Sequence, residues 1–333
     1  MKPDVICLGE LLIDFVSLES GVTLEESSGF YKAAGGAPAN VAVGLAKMEV
    51  RAGFIGKVGD ESFGHFLARV LQDHGVDIRE LHFEKEVRTA LAFVSLTKEG
   101  ERDFMFYRHP SADMFLSFTE ISKEYIIQAK IFHYGSISLI TEPSRTATLW
   151  AAKLARDNGL VVSYDPNLRL SLWESPRQAY EGIRAGIEFA RILKVSEEEL
   201  EFLTGTKKID TGSQELLKSN PQIELVVVTL GKKGCYFYTR QCKGKVKGFS
   251  VKAVDTTGAG DGFVAGLLAR LMEKKEQLPE IGNLNEAQWR EIFQYANAVG
   301  ALTTTRKGAI PGLPTREEVA IFLRTVGKGK NLN

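Results

Sequence analysis

Cysteine is scarce in this 333-residue chain: Cys7, Cys235 and Cys242 are the only three, with no Cys-x-x-Cys spacing. That excludes a disulfide framework and a four-thiolate zinc site. Cys7 lies in an apolar run and reads as a buried core thiol, so a reducing, cytoplasmic setting is expected. Histidine is also scarce, and none of the five shows metal-ligand spacing, so zinc chemistry is not expected. Charge of one sign is not in excess, since 42 Lys plus Arg balance 42 Asp plus Glu. Nucleic-acid binding usually shows as a basic excess or stripe and is not suggested. The short basic cluster Lys243 to Lys247 reads as a solvated turn. No apolar run approaches bilayer-spanning length, and no apolar signal region precedes the strand-like Val5-Ile6-Cys7-Leu8. No membrane partner is therefore expected. Repeats and low-complexity linkers are missing, and 44% hydrophobic residues suffice for a sizeable core.

Two nucleotide signatures are missing as well. No stretch supplies the Gly-x-x-x-x-Gly-Lys-Ser/Thr of a P-loop, and Gly258-x-Gly260 lacks the third glycine of a dinucleotide turn because Phe263 stands there. What is present is Asp255-Thr256-Thr257-Gly258-Ala259-Gly260-Asp261, followed by an apolar, helix-patterned run from Phe263 to Met272. Thr256 or Thr257 can cap such a helix, and the amides of Gly258, Ala259 and Gly260 have no intrahelical carbonyl partner. These amides and the positive end of the helix dipole make an anion site. A carboxylate at Asp261 is an odd choice beside an anion site, unless the anion reacts with something the carboxylate deprotonates. That is the logic of phosphoryl transfer to an alcohol. The competing reading is a Gly-rich turn that merely opens a buried helix.

Short apolar runs alternate with helical patterns. The expected strands are Val5–Leu8, Gly53–Val58, Ile131–Tyr134, Val161–Asp165, Ile192–Val195 and Leu225–Leu230. Amphipathic stretches between them include Ala39–Met48, Phe63–His74, Ser144–Asn158 and Arg177–Phe189. This pattern predicts an α/β fold with a mostly parallel sheet covered on both faces. Two strand-like runs, Thr89–Leu96 and Asp103–Tyr107, flank Lys98-Glu99-Gly100-Glu101-Arg102 and predict a β-hairpin. It is either an antiparallel edge extension or a separate flap, and a flap would exclude water from a site.

Several motifs in order resemble those of the ribokinase-like (pfkB) carbohydrate kinases. Gly35-Gly36-Ala37-Pro38-Ala39-Asn40-Val41-Ala42 is similar to the family's first signature, and Asp255 to Asp261 to its second. Between them lie Asp165-Pro166-Asn167-Leu168-Arg169, the Ser196 to Glu199 segment and Thr229-Leu230-Gly231-Lys232-Lys233-Gly234. The resemblance runs from about Val5 to Leu323. Within the family, Phe54 to Asp60, Arg108 to Met114 and Lys307 to Thr315 resemble the fructokinases.

The resemblance implies one ribokinase-like unit over residues 1–333, with a small β lid built from insertions at about 14–34 and 88–113. It implies transfer of the γ-phosphoryl group of ATP, with magnesium, to the 6-hydroxyl of D-fructose. Ribose, 2-keto-3-deoxygluconate or a non-catalytic sugar or nucleotide sensor are the alternatives. Asp261 is then the base, and the amides of Gly258, Ala259 and Gly260 hold the group in flight. Asp14 and Asn40 grip sugar hydroxyls, with Gly35 and Gly36 letting the backbone approach the ring. Asn167 and Arg169 face the sugar or the phosphates, and Phe104, Phe106 and Arg108 belong to the lid. Glu199 organises magnesium through water, beside a Ser196 that stands where the wider family has Asn. Thr229, Gly231 and Gly234 form the nucleotide turn, and Asn297 lies near the adenine. Asp255, Thr257, Thr303, Arg306 and Gly308 match a monovalent-cation loop for potassium. An exposed face of the lid would invite a homodimer.

Overall fold

A computed structural model describes residues 2–19, 21–96 and 102–329. The first strands are β1 (Val5–Leu8), β2 (Leu12–Ser17), β3 (Phe30–Gly35), β4 (Ala52–Gly59), β5 (Asp77–Glu84), β6 (Leu91–Leu96) and β7 (Arg102–Tyr107). The rest are β8 (Ile131–Tyr134), β9 (Val161–Tyr164), β10 (Ile192–Ser196), β11 (Leu225–Thr229), β12 (Gly234–Tyr238) and β13 (Lys243–Lys247). Nine of them form one sheet in the order β13-β12-β11-β10-β9-β8-β1-β4-β5. All pairings from β11 to β5 are parallel; β12 and β13 are added antiparallel at one edge.

The apolar runs are continuous because the sheet is covered twice. Along β1, Val5 and Cys7 join one core and Ile6 and Leu8 the other. The first core takes in helices Ala37–Lys47, Ala259–Glu273 and Glu286–Thr303, and the second takes in Ser144–Asp157, Pro176–Ile187 and Glu197–Thr204. Cys7 and Cys235 are buried free thiols and Cys242 is half-buried. Among the described residues, no helix is long and apolar enough to cross a membrane.

The remaining strands form a second, small sheet ordered β3-β2-β6-β7. The expected hairpin is β6 and β7, paired antiparallel from Leu91↔Tyr107 to Leu96↔Arg102. It belongs to this separate sheet rather than to an edge of the large one, with β6 lying parallel to β2. Four residues of its expected turn, Lys98 to Glu101, fall outside the described residues. One expectation is corrected: Lys243 to Lys247 is an edge strand, not a solvated turn. Its lysines are exposed while Gly244 and Val246 point inward, an alternation that charges the outer edge and discourages strand addition.

The parallel order brings the C-terminal ends of β1, β8, β9, β10 and β11 to one edge, where open α/β sheets bind ligands. A close helix crossing completes that edge. A Cβ on Gly44 would lie 2.7 Å from the Ala265 methyl, so helices Ala37–Lys47 and Ala259–Glu273 touch there almost backbone to backbone. One turn earlier on each helix stand Asn40 and Asp261.

Candidate active site

Asn40 Nδ2 donates to Asp261 Oδ2 at 2.7 Å, and both residues are buried. The helix of Asp261 begins at Gly258, and no side chain caps it. This corrects the expectation that Thr256 or Thr257 caps: the Thr257 hydroxyl donates instead to Asp255 Oδ1 at 2.7 Å. The first intrahelical bond runs from Gly262 N–H to the Gly258 carbonyl. Ala259 N–H donates at 3.3 Å to the Thr256 carbonyl, so the Gly258 and Gly260 amides are the better placed pair for an anion. Burial pushes the Asp261 carboxyl up to about 6; the Asn40 hydrogen bond, Lys194 and Arg169 oppose that rise and Asp165 adds to it.

Beneath this helix end lies a buried charge cluster. Lys194 Nζ sits 3.0 and 2.9 Å from the two oxygens of Asp165. Burial works against its charge, but Asp165 and Glu199 outweigh it and hold the ammonium above its ordinary range. Glu199 Oε2 accepts from Ser196 N–H and Oε1 from Leu168 N–H, both at 2.7 Å, while the Ser196 hydroxyl accepts from Glu199 N–H. This capping box starts helix Glu197–Thr204. Burial raises the Glu199 carboxyl, against the pull of Lys194.

A single cavity collects half of the candidate site residues named from the sequence. Asp14, Gly36, Asn40, Asn167 and Arg169 line it, with Phe104 and Phe106 from the small sheet and Thr257 to Asp261 from the helix end. Asn167 holds a left-handed backbone, φ 45°, supported by its N–H donating to Asp165 Oδ1. The Arg169 guanidinium lies 5.9 Å from the Phe104 ring, linking the small sheet to the large one.

Several of these residues also have partners within the chain. A Cβ on Gly35 would meet Asp14 Oδ2 at 2.1 Å, and on Gly36 it would meet the Glu10 carbonyl at 2.3 Å. These glycines admit the chain's own Asp14 and Glu10, and Gly36 also lines the cavity. Arg108 does not line the cavity itself: it is buried against Asp113 at 2.7 Å and donates to the carbonyl of Ile137, a lining residue, so it braces the wall from behind. Gly234 is required by its φ of 101° and by the Val246 carbonyl, 2.1 Å from a Cβ there, rather than by a ligand. Asn297 spends its amide on the Val246 and Lys247 carbonyls at 3.3 Å, which braces β13 against its helix.

Glu10 and Lys194 also line the cavity and were not singled out in the sequence. Glu10 Oε1 accepts from Ala37 N–H at 2.8 Å, and burial pushes its carboxyl up to about 7. The signal for both was present: Lys194 is a charge within an otherwise mostly apolar strand, and Glu10 follows apolar β1 with only Gly9 between.

On the far side, Thr229 ends β11 with its hydroxyl on the Val195 carbonyl, and Gly231 follows with open space where its side chain would be. The residues expected to form a monovalent-cation loop lie on two turns that bond to each other. Asp255 Oδ2 accepts from Gly308 N–H at 2.9 Å, and the Thr304 carbonyl accepts from Val254 and Asp255 N–H. The Thr303 hydroxyl donates to the Val299 carbonyl, and the Arg306 side chain turns away to Glu318.

The family model described as pfkB family carbohydrate kinase matches residues 2–316. A probable fructokinase-2 of Arabidopsis thaliana is 52% identical over 320 residues, covering 96% of this chain and 95% of that protein. Among solved structures, the Vibrio cholerae O395 fructokinase with fructose, ADP and calcium bound is 38% identical at a TM-score of 0.84, covering 96% of this chain and 99% of its own. The Xylella fastidiosa fructokinase with bound ATP is 31% identical at a TM-score of 0.88, covering 98% and 100%. The chain belongs to the pfkB family of carbohydrate kinases.

Proposed function

We propose that this kinase phosphorylates D-fructose at its 6-hydroxyl with ATP. The observation that carries this reading is Asp261, anchored by Asn40 at the uncapped start of a helix and sharing one cavity with Asp14 and Asn167. The fructokinase relatives fix the choice of sugar. Asn40 occupies Asp261 Oδ2 and leaves Oδ1 to take the proton of the sugar hydroxyl. The hydroxyl oxygen forms a bond to the γ-phosphorus as the bond to the ADP oxygen breaks, and the leaving electron pair stays on ADP. The uncapped amides then meet the charge of the group in flight.

Magnesium suits the donor set through water, because both Glu199 oxygens already accept backbone N–H groups and keep lone pairs for ordered waters. When bound with ATP, it would draw charge from the phosphates. Potassium would sit between the Asp255–Thr257 turn and the Thr303–Gly308 turn and stiffen the amides. Gly231 would let the nucleotide approach the backbone. The small sheet would act as the lid, with Phe104 and Phe106 over the sugar.

The outer face of the small sheet carries Phe15 stacked on Phe93 at 5.0 Å, and Phe93 against Phe30 and Tyr107. Tyr107 and Met105 are 58% and 47% exposed, a patch suited to a second copy of the chain. Equilibrium sedimentation is expected to give a dimer that Met105→Lys converts to monomer; a monomeric parent would refute this. Three free cysteines suit a reducing cytoplasm.

ATP turnover should be measured with fructose, ribose, glucose, 2-keto-3-deoxygluconate and adenosine, in potassium and in sodium. Fructose is expected to dominate, with higher rates in potassium. Another preferred acceptor would overturn the sugar assignment, and equal rates in both salts would remove the cation.

A further inference from the structure

We propose that Lys194 is a further catalytic residue, whose ammonium contacts the phosphoryl group during transfer. Lys194 is the one charged residue in a strand otherwise made of Ile192, Leu193, Val195 and Ser196. It lines the cavity and is only 7% exposed. Its Nζ lies 3.5 Å from the point a Cβ of Gly260 would occupy, so the cation stands against the first turn of the Ala259–Glu273 helix. That turn is the positive end of the helix, which repels an ammonium. Two features of like sign facing one cavity are compatible when an anion lies between them.

An ion pair with Asp165 alone does not require the ammonium to stand at the cavity wall, beside the turn that carries both Asp261 and the uncapped amides. Three carboxylates act on the ammonium: Asp165 at the end of β9, Glu199 on helix Glu197–Thr204 and Asp261 on the same first turn as Gly260. His133 on β8 is held neutral by burial and by Lys194 itself, and its Nδ1 pairs with the Ser163 hydroxyl. Lys194 is therefore the cation of this cluster, and Asp165 holds it in place at the cavity wall. As the sugar oxygen bonds to phosphorus and the bond to ADP breaks, the proton goes to Asp261. Lys194 keeps its own protons and offsets charge on the equatorial oxygens.

The proposal rests on the kinase reading, and the test separates the two. Lys194→Met is compared with the parent for kcat, for KM of ATP and fructose, and for binding of ADP with and without aluminium fluoride in the presence of magnesium and fructose. The fluoride complex mimics the planar group in flight. The expected result is a fall in kcat of about 100-fold, both KM values within about threefold, and a loss of affinity of about 30-fold or more for ADP–aluminium fluoride but not for ADP. Because Lys194→Met leaves Asp165 buried without its partner, Lys194→Met/Asp165→Asn removes both charges and is expected to show the same selective loss. Equal weakening of ADP and its fluoride complex in the double variant, or unchanged affinity for both, would overturn the proposal. A parent protein that turns over no acceptor would instead sink the kinase reading.

Discussion

Asp261→Asn is expected to lower kcat by about 1,000-fold while leaving the KM for fructose within a few fold. At about 1.4 kcal/mol per tenfold, that is about 4 kcal/mol of transition-state stabilisation. The substitution is isosteric. A side-chain oxygen can still accept from Asn40 Nδ2, so the helix crossing at Gly44 and Ala265 is undisturbed. What is lost is a group able to take the hydroxyl proton. Steady-state kinetics on a variant with parental thermal stability checks this. Turnover within tenfold of the parent would remove Asp261 as base.

The same carboxyl sets a pH dependence. It must be ionised to act, and burial has moved it up to about 6. Activity is therefore expected to be full above that value. As pH falls through it, kcat/KM should drop about tenfold per unit. A profile flat down to pH 4.5 would contradict this, and the Asn variant should lack the limb.

The central strands were legible because burial on both faces leaves a signal that needs no periodicity. Val5–Leu8 and Ile131–Tyr134 match to the residue, and Leu225–Leu230 overshoots by one. β13 was not legible, since alternating lysines at an edge look like a turn when the partner strand is unknown. Asp261 and Asn40 could each be picked out separately, but the bond between them joins positions far apart in sequence through a crossing that only packing reveals. Lys194 was hidden for the opposite reason: a lone charge in an apolar run reads as the run's imperfection. Its partners Asp165 and Glu199 come from two other segments. A glycine in a motif points to a close approach, but sequence does not say what approaches. At Gly35, Gly36 and Gly234 it is the chain itself.

That distinction gives Gly35→Ala an expected effect well beyond its size. Gly35 pairs with Leu12 at the end of β3, and its φ is outside the left-handed region, so alanine meets no backbone penalty. The new Cβ would stand 2.1 Å from Asp14 Oδ2, and a rigid methyl fixed to a strand cannot yield. The carboxylate must move. Asp14 lies in the cavity wall, where a charged group bonding a sugar hydroxyl contributes about 1.5–3 kcal/mol. The KM for fructose should accordingly rise about 10- to 150-fold, with the KM for ATP unchanged because Thr229 and Gly231, the proposed nucleotide turn, do not line the cavity that holds Asp14. Fructose titration with ATP held at saturation reads the effect, and circular dichroism confirms the fold. A parental KM for fructose would show that Asp14 does not grip the sugar, and the hydroxyl contacts would then fall to Asn40, Asn167 and Arg169.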